Sequence, residues 1–260
     1  MIDIKINDEL ELTDDKFLMI AGPCSVESEE QILGVARDLK KIGVNVLRGG
    51  TFKPRTQPES FQGLGEEGLK LLARAREETG MAIITEVMDE ENLPLVEEYA
   101  DIIQIGSRNS QNFSLLKAVS KYNKPVLLKR GFGNTIDELI GSSKYLALGG
   151  NKKIMLVERG IRTFETSTRF TLDVSAVPVL HEKTEYPVLI DPSHPAGINR
   201  YVEPLAMAGT AAGADGLIIE VHPNPKEALS DAAQQLTVPE FMELYDKIKR
   251  ITEITRKNII

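Results

Sequence analysis

With 42% hydrophobic and 27% charged residues, the 260-residue chain carries enough apolar side chain for a sizeable core and is not a disordered polar chain. Its formal charge of −8, from 39 acidic against 31 basic residues, argues against a global electrostatic grip on nucleic acid. No stretch approaches 18 consecutive apolar residues and Met1 to Lys16 lacks the pattern of a signal peptide, so a cytoplasmic protein with no membrane partner is expected.

The lone cysteine, Cys24, leaves three roles open: a buried thiol, a nucleophile or a metal ligand. At the amino terminus Ile2, Ile4, Ile6, Leu10 and Leu12 alternate around Asn7-Asp8-Glu9, which predicts a short β-hairpin extension over residues 1–16. Eight apolar runs follow, at Phe17–Gly22, Val44–Arg48, Ala82–Glu86, Ile102–Ile105, Val126–Lys129, Ile154–Glu158, Val188–Asp191 and Gly216–Glu220. Such runs suit parallel strands buried on both faces. Between them lie helical patterns, for example Glu29 to Ile42, Gly65 to Thr79 and Ile198 to Gly213, and a last helix is expected from about Pro239 to Ile251, followed by a short charged tail.

Eight βα units without a linker predict an α/β fold, a (β/α)8 TIM barrel in one catalytic domain over residues 1–260. The alternative is an open doubly wound sheet, but no G-x-G-x-x-G follows the first strand.

In such a barrel the active site lies at the C-terminal ends of the strands, and those ends are polar here. A basic set comprises Arg48, Lys53, Arg55, Arg108, Lys129 and Arg159. Taken singly, each could be a solvated cation or a structural ion pair, but six at one barrel mouth would repel one another unless they met anions. Guanidinium forks and lysine point charges suit phosphorylated, carboxylated substrates. A second set, Cys24, His194, Glu220 and Asp231, comes from the first, seventh and eighth units, which adjoin once a barrel closes. Mixed S, N and O donors suit one divalent transition ion, Mn, Fe, Co or Zn. For Cys24 alone the blander reading is a small buried hydrophobe, and for His194 a hydrogen-bonded loop residue. Glu220, ending Leu217-Ile218-Ile219, would be costly to bury without a partner.

Ala21-Gly22-Pro23-Cys24, Leu47-Arg48-Gly49-Gly50, Lys53-Pro54-Arg55-Thr56, Thr85-Glu86-Val87-Met88-Asp89, Ile105-Gly106-Ser107-Arg108, Leu128-Lys129-Arg130-Gly131, Glu158-Arg159-Gly160, Asp191-Pro192-Ser193-His194 and Glu220-Val221-His222-Pro223 occur in that order. Together they resemble the 3-deoxy-D-arabino-heptulosonate-7-phosphate (DAHP) synthases, compact type I β branch, from about Phe17 to Ile251. The resemblance implies condensation of phosphoenolpyruvate with erythrose 4-phosphate, at the start of the shikimate pathway. It assigns the metal to Cys24, His194, Glu220 and Asp231. It places the phosphoenolpyruvate phosphate near Arg108, Lys129 and Arg159, and its carboxylate near Arg48 and Lys53. Erythrose 4-phosphate falls to Lys53, Pro54, Arg55 and Thr56, proton transfer to Lys53, and the attacking water to Glu86. A homo-oligomer, dimer or tetramer, is expected.

The nearest rival, 3-deoxy-D-manno-octulosonate-8-phosphate synthase, uses arabinose 5-phosphate and usually carries Lys-Ala-Asn-Arg-Ser-Ser where this chain has Lys53-Pro54-Arg55-Thr56. A Schiff-base aldolase would need a desolvated Lys129 or Lys53. A non-catalytic phosphosugar-binding barrel would lack a ligand or Lys53, and neither is missing. Because Cys24 comes so early and only a short tail follows Ile251, no regulatory domain and no feedback inhibition by aromatic amino acids are expected.

Overall fold

The computed structural model describes residues 1–53, 57, 59–255 and 257–260. Strands β1 (Asp3–Lys5) and β2 (Glu11–Thr13) form the expected antiparallel hairpin, with Ile4 opposite Leu12. The barrel begins with β3 (Lys16–Gly22), α1 (Glu29–Ile42), β4 (Val46–Arg48) and α2 (Glu66–Thr79). It continues with β5 (Ala82–Val87), α3 (Leu93–Tyr99), β6 (Ile102–Ile105), α4 (Phe113–Val119), β7 (Val126–Lys129) and α5 (Ile136–Leu148). The second half holds β8 (Ile154–Glu158), α6 (Ala176–Lys183), β9 (Val188–Ile190), the single turn α7 (Ser193–Ala196), α8 (Val202–Ala211), β10 (Gly216–Glu220) and α9 (Val238–Thr255). Strands β3 to β10 pair in parallel in chain order, and β10 returns to β3 with Glu220 beside Gly22, which closes an eight-stranded TIM barrel. Among the described residues no helix is long and apolar enough to cross a membrane.

Local chemistry explains the element ends. Ser28 caps α1 by accepting from Gln31 N at 3.1 Å, acidic Glu29 and Glu30 open it and basic Lys40 and Lys41 close it, matching the helix dipole. Thr135 and Glu138 form a reciprocal capping box at the start of α5. The predicted helix from Ile198 is shorter than its pattern, because Asn199–Tyr201 forms a 3-10 turn before α8. The expected charged tail is also corrected. Helix α9 runs on to Thr255, and β11 (Asn258–Ile259) adds in parallel to β3, with Asn258 beside Lys16.

Strand periodicity sets what the barrel encloses. Leu18, Ile20, Val46, Ile84, Ile102, Leu127, Val157, Leu189 and Ile218 pack into one inner cluster with Ile4, Ile6 and Leu12 of the hairpin. Burial of each hairpin side chain contributes about 1.5–3 kcal/mol, so the hairpin is a plug rather than an appendage. Residues of the opposite parity, such as Met19, Leu47, Ile83 and Leu128, pack outward against the helices. Because side chains alternate, the positions two further along the strands return to the inside. They are Gly22, Arg48, Glu86, Gln104, Lys129, Arg159, Asp191 and Glu220, a polar ring resting on an apolar floor.

Candidate active site at the barrel mouth

Two close approaches shape the ring. Gly22 has φ +147° and a Cβ there would meet Arg48 O at 2.2 Å, so only glycine lets β3 and β4 approach. A Cβ on Gly106 would lie 1.8 Å from Glu86 Oε1, so the bare backbone makes room for that carboxylate, which Gln104 Nε2 steadies at 3.1 Å.

On the β10 side the donor atoms of Cys24, Glu220 and Asp231 all lie within 4.8 Å of one another. Cys24 follows β3 and is buried, with Sγ 3.5 Å from Asp231 Oδ2. Asp231 adopts a left-handed φ of 47°, a conformation aspartate tolerates better than most side chains. His194, on α7, turns Nε2 toward the same point, 3.7 Å from Glu220 Oε1 and 4.0 Å from Asp231 Oδ2. The structure therefore brings together all four residues expected to bind metal. Among the described residues Glu220 Oε1 is buried without a hydrogen-bond partner, although Arg48 Nη2 lies 3.1 Å away. A buried carboxylate oxygen left this way, facing thiol and imidazole, fits a divalent cation.

A second layer holds these donors, and of its members only Lys129 was expected in the site from the sequence. Asp191 Oδ2 accepts from Lys129 Nζ at 2.6 Å and lies 2.7 Å from His194 Nδ1, while Oδ1 accepts from His194 N at 3.1 Å. Fixing Nδ1 in this way directs Nε2 into the site. Gln234 Nε2 donates to Glu220 Oε2 at 2.6 Å, and Gln235 Oε1 accepts from Cys24 N at 3.0 Å. Arg169 Nη1 donates to Asp231 Oδ1 at 3.1 Å and to Gln234 Oε1 at 2.9 Å. Asp191 had a readable signal, the inward parity from Leu189; glutamines in a loop carry none.

Burial and charge tune the group. Burial, reinforced by Glu220, pushes the Cys24 thiol up to about 12, against the pull of Lys53, whose Nζ is 3.1 Å from Sγ. Burial also raises Asp191, but His194 and Lys129 more than reverse it and hold the carboxyl well below its ordinary range. Burial likewise acts upward on Asp231 and is outweighed by His194 and Arg169, leaving it at about 2. His194 is lowered by burial against the opposing pull of Asp191, which keeps it a neutral donor near pH 7. Lys53 stays an ammonium: burial lowers it, and Cys24 and Glu220 more than compensate.

The cleft beside these donors is lined by Lys53, Glu86, Arg108, Lys129, Arg159 and Arg169, together with Phe132 and Phe170. Arg48 and Arg159 are buried, and each has Nε and Nη1 without a hydrogen-bond partner among the described residues. Of the expected substrate residues, Pro54, Arg55 and Thr56 lie outside the described residues. The DAHP synthetase I family model matches residues 2–257 of this sequence.

The chain belongs to that family. Phospho-2-dehydro-3-deoxyheptonate aldolase of Thermotoga maritima is 55% identical over 237 residues, covering 91% of this chain and 70% of its own length. A crystal structure of the Thermotoga maritima aldolase, also titled DAHP synthase, matches with a TM-score of 0.95 at 50% identity over 99% of this chain and 75% of that one. A truncated form of the Thermotoga maritima synthase gives 0.92 at 48% identity, over 99% and 94%. A second aldolase type matches at lower identity. 2-Dehydro-3-deoxyphosphooctonate aldolase of Desulfotalea psychrophila is 32% identical over 252 residues, covering 90% of this chain and 89% of its own.

Proposed function

We infer that this chain is a metal-dependent DAHP synthase, joining phosphoenolpyruvate to erythrose 4-phosphate with uptake of water and release of phosphate. The observation that carries the reading is the pairing, in one cleft, of a thiol–imidazole–dicarboxylate cluster with two buried arginines whose Nε and Nη1 lack hydrogen-bond partners among the described residues. The similarity of 55% to a heptonate aldolase against 32% to an octonate aldolase favours the four-carbon aldose.

Arg108, Lys129 and Arg159 take the phosphate of phosphoenolpyruvate and Arg48 its carboxylate; Lys53, with Pro54, Arg55 and Thr56, takes erythrose 4-phosphate. Holding two polyanions side by side is most of the task, because they repel one another in water. Cys24, His194, Glu220 and Asp231 would hold Mn, Fe, Co or Zn, which when bound supplies Lewis acidity and a template at the aldehyde. As C3 of phosphoenolpyruvate bonds to the aldehyde carbon, the Lys53 ammonium gives a proton to the aldehyde oxygen. Glu86 orients the water that adds at C2, and phosphate then leaves with cleavage of its bond to C2. A single barrel unit over residues 1–260, a homo-oligomer (dimer or tetramer) and a cytoplasmic location belong to the same proposal. The last is supported by the need to keep the Cys24 thiol reduced.

The test is a product assay with purified, metal-loaded protein and both aldose phosphates. Erythrose 4-phosphate should exceed arabinose 5-phosphate in kcat/KM by at least about tenfold, a difference of about 1.4 kcal/mol in transition-state stabilisation. Comparable values would overturn the aldose assignment.

A further inference from the structure

Arg159 sits in the polar ring without a carboxylate to pair with among the described residues. The adjacent Glu158 has the opposite strand parity and accepts from Arg130 Nη1 at 2.7 Å and Gly160 N at 2.7 Å. Asp191 is taken by Lys129 and His194. What the Arg159 guanidinium meets instead is an aromatic face, with Cζ 4.3 Å from the centroid of Phe170. Phe170 stacks on Phe132 at 5.8 Å and 26°, and Arg162 Cζ lies over the Phe132 ring, 4.5 Å from its centroid. The two loops are also tied through their backbones, with Arg162 N donating to Phe132 O at 2.7 Å. A run of ring contacts, Arg159–Phe170–Phe132–Arg162, with Arg169 also 5.8 Å from the Phe170 centroid, thus bridges the loops after β7 and β8, and both rings line the cleft.

A carboxylate would fix a guanidinium along its N–H edge and cancel its charge. An aromatic face fixes it by its plane, leaving the edge free and the charge intact. Arg159 Nε and Nη1 are buried and have no hydrogen-bond partner among the described residues, as this arrangement requires. We propose that Phe170 is a positioning residue that holds Arg159 in register for the phosphate of phosphoenolpyruvate without neutralising it. This rests on the assignment of Arg159 to that phosphate.

Phe170 is only half-buried, so leucine replaces its bulk without a core defect. Calorimetric titration of the metal-free protein with phosphoenolpyruvate, together with steady-state kinetics, is applied to Phe170→Leu, Phe170→Tyr and Arg159→Gln. A surface cation–π contact corresponds to about a two- to fivefold effect, and a desolvated one to about thirtyfold. Phe170→Leu should weaken phosphoenolpyruvate binding and raise its KM by about three- to thirtyfold, leaving the erythrose 4-phosphate KM within about twofold. Phe170→Tyr, which keeps the ring face, should restore both values. Arg159→Gln must weaken phosphoenolpyruvate more than Phe170→Leu does; if it has no effect, the phosphate assignment itself fails. If Arg159→Gln weakens binding but Phe170→Leu does not, or if leucine and tyrosine are equally impaired, the positioning role is wrong.

Discussion

Replacing Asp191 by asparagine removes the charge on which three site groups converge. The carboxylate and Lys129 are both buried, 0% and 5% exposed at their side chains, and 2.6 Å apart. Breaking such a pair from one side costs about 3–5 kcal/mol, because the remaining charge stays buried without compensation. Burial already lowers the pKa of Lys129, so the variant relieves part of this cost by losing the lysine proton, and about 3 kcal/mol is expected. At about 2–4 °C per kcal/mol for a chain of this size, the metal-free protein should melt about 6–12 °C lower. His194 loses the partner at Nδ1 that aims Nε2, so metal affinity measured by chelator competition should fall about ten- to hundredfold. The folded-state pKa of Asp191 is depressed, so its contribution is fully present above about 3.9 and is lost only as pH falls through the lower folded value. The gap between parent and variant should therefore persist from pH 7 to pH 4. A melting point within about 1 °C and a metal affinity within about twofold of the parent would refute the reasoning.

Two further outcomes follow from the same chemistry. With the Cys24 thiol pushed up to about 12 and His194 lowered below its ordinary value, an ion entering between pH 7 and 9 must displace the thiol proton alone. Apparent affinity should rise about tenfold per pH unit in that window, and a flat profile in chelator-buffered titrations would mean that Cys24 is not a ligand. At the opposite end of the barrel Asp215 accepts from Val188 N at 2.7 Å, pairs with His181 at 2.7 Å and also meets Lys257. Burial raises its pKa, but His181 and Lys257 outweigh that and leave it lowered; its stabilisation is complete above about 3.9 and fades as pH falls through the folded value. Asp215→Asn should cost about 1.5–3 kcal/mol at pH 7 by urea unfolding and flatten the acid limb of the stability profile; an unchanged limb would contradict this.

The barrel was legible because strands buried on both faces leave continuous apolar runs, and Ile102–Ile105, Val126–Lys129, Ile154–Glu158 and Gly216–Glu220 match the observed strands end to end. The inner ring was legible for a related reason, since a charged residue that closes such a run with inward parity, as Glu220 does, faces the mouth, whereas Glu158 closes β8 with the opposite parity and pairs with Arg130. Asp191 was read as part of a strand end and given no task, because Lys129 lies on β7 and meets it only in space, and the bonds from His194 depend on the turn of α7. Gln235 and Arg169 lie in loops and Gln234 ends a single 3-10 turn, where no periodicity marks them. Strand β11 escaped because two residues are too few to display alternation, and Asn258 is exposed. The phenylalanine stack was invisible for a similar reason: Phe132 and Phe170 are 38 positions apart, and their contact depends on how two loops fold back.

The hairpin that packs Ile4, Ile6 and Leu12 beneath the inner cluster makes the barrel a cup rather than a tube. Field lines from the charged ring meet hydrocarbon below and electrolyte only above, so counterions approach from one direction. With a screening length of about 8 Å at physiological ionic strength, added salt reaches the rim and leaves the buried pairs of the ring nearly untouched. Salt should thus slow the arrival of anionic substrates while sparing the turnover of those already bound, a separation that an open-ended tube would not provide.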